Sequence, residues 1–186
     1  KTYYLEYSRL PITGKPENPA KKDFLKSKNT PSFAEAEKQF KSNDLLLTEK
    51  FQSDEANAED ACDLKVVADS IAKAGDKKWA KKVYKKAEEK SRDSLDFNWL
   101  AYSIFETLGD IKWARSIYTK AEEKSESSLE LNWLAYSIFE TLYDKEWVKK
   151  LYEKATNMSG NIRELCDLAD SIHETLGGMN WVKKIL

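Results

Sequence analysis

The feature of this chain that most constrains its fold is a tryptophan that returns at a fixed interval. Trp79, Trp113, Trp147 and Trp181 are each 34 residues from the next, and related segments follow them: WAKKVYKKAEEK, WARSIYTKAEEK, WVKKLYEKATNM and WVKKIL. A constant interval of this length is typical of one supersecondary unit that is repeated and stacked. We therefore predict a repeat architecture over about two thirds of the molecule.

Two apolar patterns in each unit predict two helices. In the first pattern, large apolar residues, an alanine and an isoleucine recur at spacings of three and four, which places them on one helical face. The stripes are Leu64, Val67, Ala68, Ile71; Phe97, Leu100, Ala101, Ile104; Leu131, Leu134, Ala135, Ile138; and Leu165, Leu168, Ala169, Ile172. In the second pattern, two small residues flank one tyrosine: Ala80, Tyr84, Ala87; Ala114, Tyr118, Ala121; and Val148, Tyr152, Ala155.

The turns between these helices are also readable. Gly75, Gly109 and Gly177 follow three of the first helices, where a left-handed residue ends a helix. The third unit has Tyr143 at this point, so its turn should differ or be strained. Capping pairs that mark the next first helices are Asp93 with Asp96, Ser127 with Glu130 and Asn161 with Glu164.

These patterns divide the chain into an array and a preceding segment. The array covers 59–186, with units at 59–92, 93–126, 127–160 and an incomplete one at 161–186. Residues 1–58 lie outside the repeat: KTYYLEYS favours a short strand, a proline-rich loop follows, and a helix is predicted over 33–51. We expect this segment to cap the first unit, because Phe24, Leu25, Phe33, Phe40 and Leu45–Leu47 need to be buried.

The repeat resembles a known family. The 34-residue interval, the helix-turn-helix unit and the small-x3-aromatic-x2-Ala second helix are similar to tetratricopeptide repeats, or to their Sel1-like relatives, over about 59–186. The departures are the missing inter-unit proline and the tryptophan that opens every second helix. The resemblance implies a mainly α fold, an α-solenoid whose first helices line a concave face that binds polypeptides.

Composition narrows the classes of function. The formal charge of −1, from 31 basic and 32 acidic residues, argues against nucleic-acid binding, because phosphate binding needs a net basic face. No apolar run reaches the roughly 18 residues of a membrane span, and the first residues lack the layout of a secretory signal. Two distant cysteines, Cys62 and Cys166, indicate a reducing, cytoplasmic setting. We expect each cysteine to be a small buried apolar residue rather than a reactive thiol.

Catalytic chemistry finds little support in the chain. His173 is the only histidine, and a metal site needs several converging ligands. No nucleophile elbow, phosphate-binding loop or zinc-protease motif occurs. Glu106 and Glu140 could suggest paired carboxylates, but their spacing is a consequence of stacking. We therefore predict a protein that is not an enzyme and has no cofactor or metal.

A partner-binding surface is predicted on the first helices, beside the core stripe. Its candidate residues are Asn98, Tyr102, Phe105, Glu106, Asn132, Tyr136, Phe139, Glu140, Asp170 and His173. Aromatic, amide and acidic groups suit an extended or helical segment with apolar anchors and some basic groups. Phe105 and Phe139 could equally belong to the core.

The tryptophans leave two readings open. Trp79, Trp113, Trp147 and Trp181 share a stripe with core residues, and Trp99 and Trp133 form a second set. They either pack within and between units, or form an exposed ladder that recruits a partner or a second copy. Because the sequence stops at Leu186, before the second helix is complete, we expect the uncapped end to need a cap, a partner, another copy or residues beyond Leu186.

The leading hypothesis is a non-catalytic adaptor or scaffold that binds a protein segment. One alternative is a regulatory, nucleic-acid-responsive component, because the N-terminal segment is similar to the end of a WGR-type domain in its aromatic stretch and in PSFAEAEKQF, although the Trp-Gly-Arg signature is missing. Another alternative is a self-assembling structural unit.

Overall fold

A computed structural model describes residues 33–177, and its side chains from Leu45 onward. This part of the chain consists of eight α-helices and contains no strand. The helices are α1 (Phe33–Asn57), α2 (Ala61–Lys73), α3 (Lys77–Lys90), α4 (Ser94–Leu108), α5 (Ile111–Lys124), α6 (Ser128–Leu142), α7 (Lys145–Met158) and α8 (Ile162–Leu176). We call α2, α4, α6 and α8 the first helices, and α3, α5 and α7 the second helices. The mainly α class is thereby confirmed.

The chain divides into two compact units, Lys1–Leu45 and Leu46–Leu186, so α1 begins in one and ends in the other. The helix predicted over 33–51 is present and continues to Asn57. The expectation that Leu45, Leu46 and Leu47 are buried is wrong, because they are 65%, 61% and 46% exposed. The predicted strand in KTYYLEYS, together with Phe24 and Leu25, lies outside the described residues.

Helices α2, α4 and α6 each pair with the second helix that follows, and each also contacts the next first helix. The predicted stripes form the core, and Ala80, Ala114, Val148 and the three tyrosines Tyr84, Tyr118 and Tyr152 are completely buried. Only Leu165 in the fourth stripe remains partly accessible. Small residues on both sides of each tyrosine let the paired backbones approach, so one large ring fills the space between them.

Side-chain caps fix where the helices begin. The predicted caps Asp93, Ser127 and Asn161 accept the backbone N–H of the residue three further on, and Ser127 with Glu130 forms a full capping box. Every second helix has an aspartate cap as well, at Asp76, Asp110 and Asp144, and each accepts the backbone N–H of the repeated tryptophan. The interval between tryptophans therefore also marks the starts of the second helices.

The turns that end the first helices share one backbone conformation in three units. Gly109 has φ 68°, Gly177 has φ 64° and Tyr143 has φ 52°, all left-handed. Tyr143 therefore adopts the same turn geometry as the glycines, and its backbone is strained. A strained turn was one of the two outcomes that the sequence predicted, the other being a different turn. In the first unit α2 is shorter, and Gly75 has φ 104° after an α-helical Ala74.

Consecutive second helices are joined by long polar side chains around the tryptophans. The Trp113 indole Nε1 donates to Glu88 at 2.9 Å, and Lys120 binds the other oxygen of Glu88 at 2.6 Å. Trp147 repeats the bond to Glu122 at 2.7 Å. These indoles are half-buried against the core, which confirms the packing reading for them. Trp181 lies outside the described residues.

The end of α1 takes part in the same arrangement. Glu55 accepts from the Trp79 indole at 2.8 Å and from Lys86 at 2.6 Å, as Glu88 does one unit later. Burial acts to raise the pKa of Glu55, but the hydrogen bonds from Lys86 and Trp79 outweigh it and hold this pKa below its usual value. The C-terminal part of α1 therefore supplies Trp79 and Lys86 with the carboxylate that a second helix supplies in the later units.

A buried tyrosine–threonine contact joins each second helix to the next first helix. The hydroxyl of Tyr118 lies 3.1 Å from that of Thr141, and Tyr152 repeats this with Thr175 at 3.2 Å. Each threonine hydroxyl is also 2.7 Å from the carbonyl four residues earlier. Burial raises the pKa of Tyr152 to about 12 and raises the pKa of Tyr118 as well. These hydroxyls are therefore protonated at neutral pH.

None of the helices between Phe33 and Gly177 is both long and apolar enough to cross a membrane.

Candidate binding groove

An open groove of about 520 Å³ runs across three first helices. Helix α4 contributes Asn98 and Trp99, helix α6 contributes Asn132, Trp133, Tyr136 and Ser137, and helix α8 contributes Ser171 and Glu174. Equivalent positions of consecutive units thus lie side by side, because first helices contact first helices. The volume lies within the range of about 300–1,000 Å³ that is common for ligand sites.

Two amides in the groove are buried without a hydrogen-bond partner. Asn98 is 3% exposed and Asn132 is 8% exposed, and the Oδ1 of each is buried and accepts no hydrogen bond. They stand at the same position of two consecutive units. A buried oxygen without a donor costs about 1–3 kcal/mol, so the groove carries this cost twice.

Three aromatic rings beside these amides are open to solvent. Trp99 is 50% exposed, and Trp133 and Tyr136 are each 45% exposed. Trp99 and Trp133 are therefore exposed aromatic residues and do not pack inside the units. The groove offers large apolar faces next to hydrogen-bonding groups.

The other predicted residues occupy three kinds of position. Tyr102, Glu106, Glu140, Asp170 and His173 are exposed but do not line the groove. Phe105 and Phe139 are half-buried and pack against the core. Burial is the main cause of the raised pKa of Tyr118, and the nearby Tyr102 and Glu106 add to it. Glu174 and Tyr136 add in the same way to the raised pKa of Tyr152.

The first unit has a closed polar network at the corresponding place. Lys65, which has the position of Asn98, lies 3.1 Å from Asp69 and 3.4 Å from the Ser103 hydroxyl. Asp69 also accepts the hydroxyl of Tyr84, which is 2.8 Å from the Thr107 hydroxyl. These groups satisfy one another, so the unpartnered amides are confined to the second and third units.

Sequence reasoning missed several residues of the groove. Ser137 and Ser171 line it but were not among the candidates for partner binding, and Trp99 and Trp133 were considered only as members of a possible exposed ladder. The available signal was NWLAYSIFETL, which occurs identically in α4 and α6. An asparagine and a tryptophan side by side cannot both belong to one core stripe, because neighbouring helical residues point about 100° apart.

The expectation that both cysteines are buried is wrong. Cys62 and Cys166 are exposed and not disulfide-bonded. Cys62 lies in the first turn of α2, two residues from the buried Leu64, and so points away from the core. Cys166 has the position of Asn98, but within the described residues no further first helix packs against α8.

The described residues contain no group of three or more histidine, cysteine, aspartate or glutamate side chains that could hold a metal ion. Comparison with protein-family models, with curated proteins and with solved structures gives no match to this chain. The site is therefore interpreted from its own geometry.

Proposed function

We propose that this chain is a non-catalytic interaction module, an adaptor or scaffold that binds an extended polypeptide segment in the groove of α4, α6 and α8. The observation that carries the proposal is the pair of buried amide oxygens of Asn98 and Asn132, neither of which has a donor. Both carboxamides line the groove, and an extended peptide presents free backbone N–H groups that can pair with their oxygens once the side chains turn toward the groove, whereas a helix uses its own N–H groups internally.

The arrangement of helices supports this use of the first-helix face. The backbones of consecutive first helices approach over more of their length than those of consecutive second helices. The second helices are bridged instead by long side chains, such as Lys81 to Asp110 at 2.8 Å and Arg115 to Asp144 at 2.8 Å. This favours a stacked tetratricopeptide-like array with first helices on the inner side, where the resembling family binds its partners.

The exposed rings would supply most of the binding energy. Trp99, Trp133 and Tyr136 combine large apolar area with few rotatable bonds, which are the properties of residues that dominate protein interfaces. An extended segment seated on them would bury apolar side chains while its backbone pairs with the asparagines. The free cysteines favour a cytoplasmic setting for this interaction.

The experiment is a selection of random dodecapeptides displayed on phage against the 186-residue chain, followed by titration of one selected synthetic peptide. Trp133→Ala should weaken binding at least about tenfold, because truncation of a central interface aromatic typically costs more than about 1–2 kcal/mol. Ile111→Ala is the matched control, since Ile111 is 55% exposed on a second helix away from the groove. Equal affinity of the two variants for every selected peptide would overturn the proposal.

A further inference from the structure

Charge is distributed unevenly between the two kinds of helix, although the chain is nearly neutral overall. Helices α4 and α6 contain acidic residues but no lysine or arginine. In α3, by contrast, half of the fourteen residues are lysine. The face that forms the groove is therefore acidic, and the face formed by the second helices is basic.

Three acids on the first helices α4, α6 and α8 have no cation of their own. Glu106, Glu140 and Glu174 occupy the same position in three units, and none makes an ion pair or hydrogen bond within the described residues. By contrast, Glu55, Glu88, Asp110 and Asp144 each bind a lysine or arginine. The second helices also carry free carboxylates, such as Glu123, but lysines lie on the same helices, whereas α4 and α6 have no lysine or arginine.

The chain itself shows how it holds a cation between an indole and a carboxylate. Lys81 lies 5.3 Å from the centroid of the Trp113 ring and 2.8 Å from Asp110. Arg115 lies 5.4 Å from the ring of Trp147 and 2.8 Å from Asp144. The negative face of the ring and the carboxylate both attract the positive group, so the two contacts act together.

The groove has both components of this arrangement but no cation. Trp133 and Tyr136 of α6 and Glu174 of α8 line the same cavity, and no lysine or arginine is among the described residues that line it. The indole of Trp133 is 45% exposed. The unpartnered Asn132 amide, which is more than nine-tenths buried, lies in the same cavity.

We infer that the polypeptide bound in the groove is basic, and that one of its lysine or arginine side chains sits between the Trp133 ring and the Glu174 carboxylate. This rests on the proposed function and specifies its ligand. The segment is extended and comes from a partner, because a lysine-rich helix such as α3 of a second copy has no free backbone N–H groups for Asn98 and Asn132.

The test uses the same dodecapeptide selection, with the 186-residue protein as bait and a library that encodes basic and acidic residues at equal frequency. Selected peptides should be enriched in lysine or arginine at one fixed position. Glu174→Gln should weaken a selected synthetic peptide about tenfold, since a hydrogen bond to a charged group is lost. Glu123→Gln makes the same charge change at an exposed second-helix position and should leave the affinity within about twofold.

Replacement of the fixed lysine or arginine of the peptide by glutamine should remove the difference between wild-type protein and Glu174→Gln. Peptides that require Trp133 yet bind Glu174→Gln as tightly as wild type would overturn this inference and leave the proposed function intact. Failure to obtain any peptide that depends on Trp133 would overturn both. If sedimentation showed that the wild-type protein is a dimer and that Glu174→Gln dissociates it, the occupant of the groove would be a second copy of the chain and not a partner segment.

Discussion

Tyr143 occupies a turn position that glycine fills in the units before and after it. Its φ of 52° lies in the left-handed region, where a side chain other than glycine costs about 1–3 kcal/mol. The ring is 70% exposed, and its one ring contact, with Phe139 at a centroid distance of 5.9 Å, offsets only part of this cost. The third unit thus has the same turn geometry as its neighbours, although a tyrosine backbone disfavours it.

We predict that Tyr143→Gly stabilises the protein by about 1 kcal/mol, because the relief of backbone strain exceeds the added entropy of glycine in the unfolded chain. The midpoint of thermal unfolding, followed by circular dichroism, should rise by about 2–4 °C. The converse change, Gly109→Ala, should lower the midpoint. A Cβ added at Gly109 meets nothing within 4 Å, so only the left-handed φ opposes this substitution. A lower midpoint for Tyr143→Gly would show that the contact with Phe139 is the larger effect.

At the same scale, the sequence predicts core residues better than groove residues. The positions of Tyr84, Tyr118 and Tyr152 follow from periodicity, since burial of a stripe depends only on spacing along the helix. The groove residues depend on the neighbouring unit as well. Asn98 is buried where the next first helix contacts α4, whereas Cys166 at the same position of α8 is exposed.

Between elements, the tyrosine–threonine contacts hold each second helix against the next first helix. The three tyrosines are completely buried, and burial is the largest cause of their raised pKa values. Each group has a higher pKa in the folded chain than in the unfolded chain. The stabilisation is therefore fully present below the unfolded pKa of about 10 and is lost as the pH rises through the folded value.

We predict that the free energy of unfolding depends little on these tyrosines below about pH 9 and falls steeply between about pH 10 and 12. Urea unfolding at a series of pH values, followed by circular dichroism, measures this. Tyr152→Phe should make the alkaline decline shallower, because one raised pKa is removed while Thr175 keeps its bond to the Ser171 carbonyl. An unchanged pH dependence in this variant would contradict the assignment.

Helix starts and ends could also be predicted at this scale where a local cap determines them. Asp93, Ser127 and Asn161 were recognised because capping acts within one turn. The bonds from Trp113 to Glu88 and from Trp147 to Glu122 were not, because they join residues 25 positions apart. Their partners become neighbours only once the units are stacked.

For the molecule as a whole, the interval between tryptophans was sufficient to predict paired helices that contact their neighbours. It could not predict which part of the first-helix face forms a cavity, since that depends on how closely α4, α6 and α8 approach. The separation of the acidic first helices α4, α6 and α8 from the basic second helices is also visible only across several units. The net charge of −1 does not reveal this separation, because the acidic and basic contributions cancel.

The most direct test of peptide binding in this groove is the double variant Asn98→Leu with Asn132→Leu, titrated with a peptide selected on the wild-type protein. We predict that affinity falls at least about tenfold while the thermal midpoint is unchanged or higher, because an apolar side chain removes a buried oxygen that lacks a partner. Unchanged affinity, or a lost affinity accompanied by a lower thermal midpoint, would contradict the account.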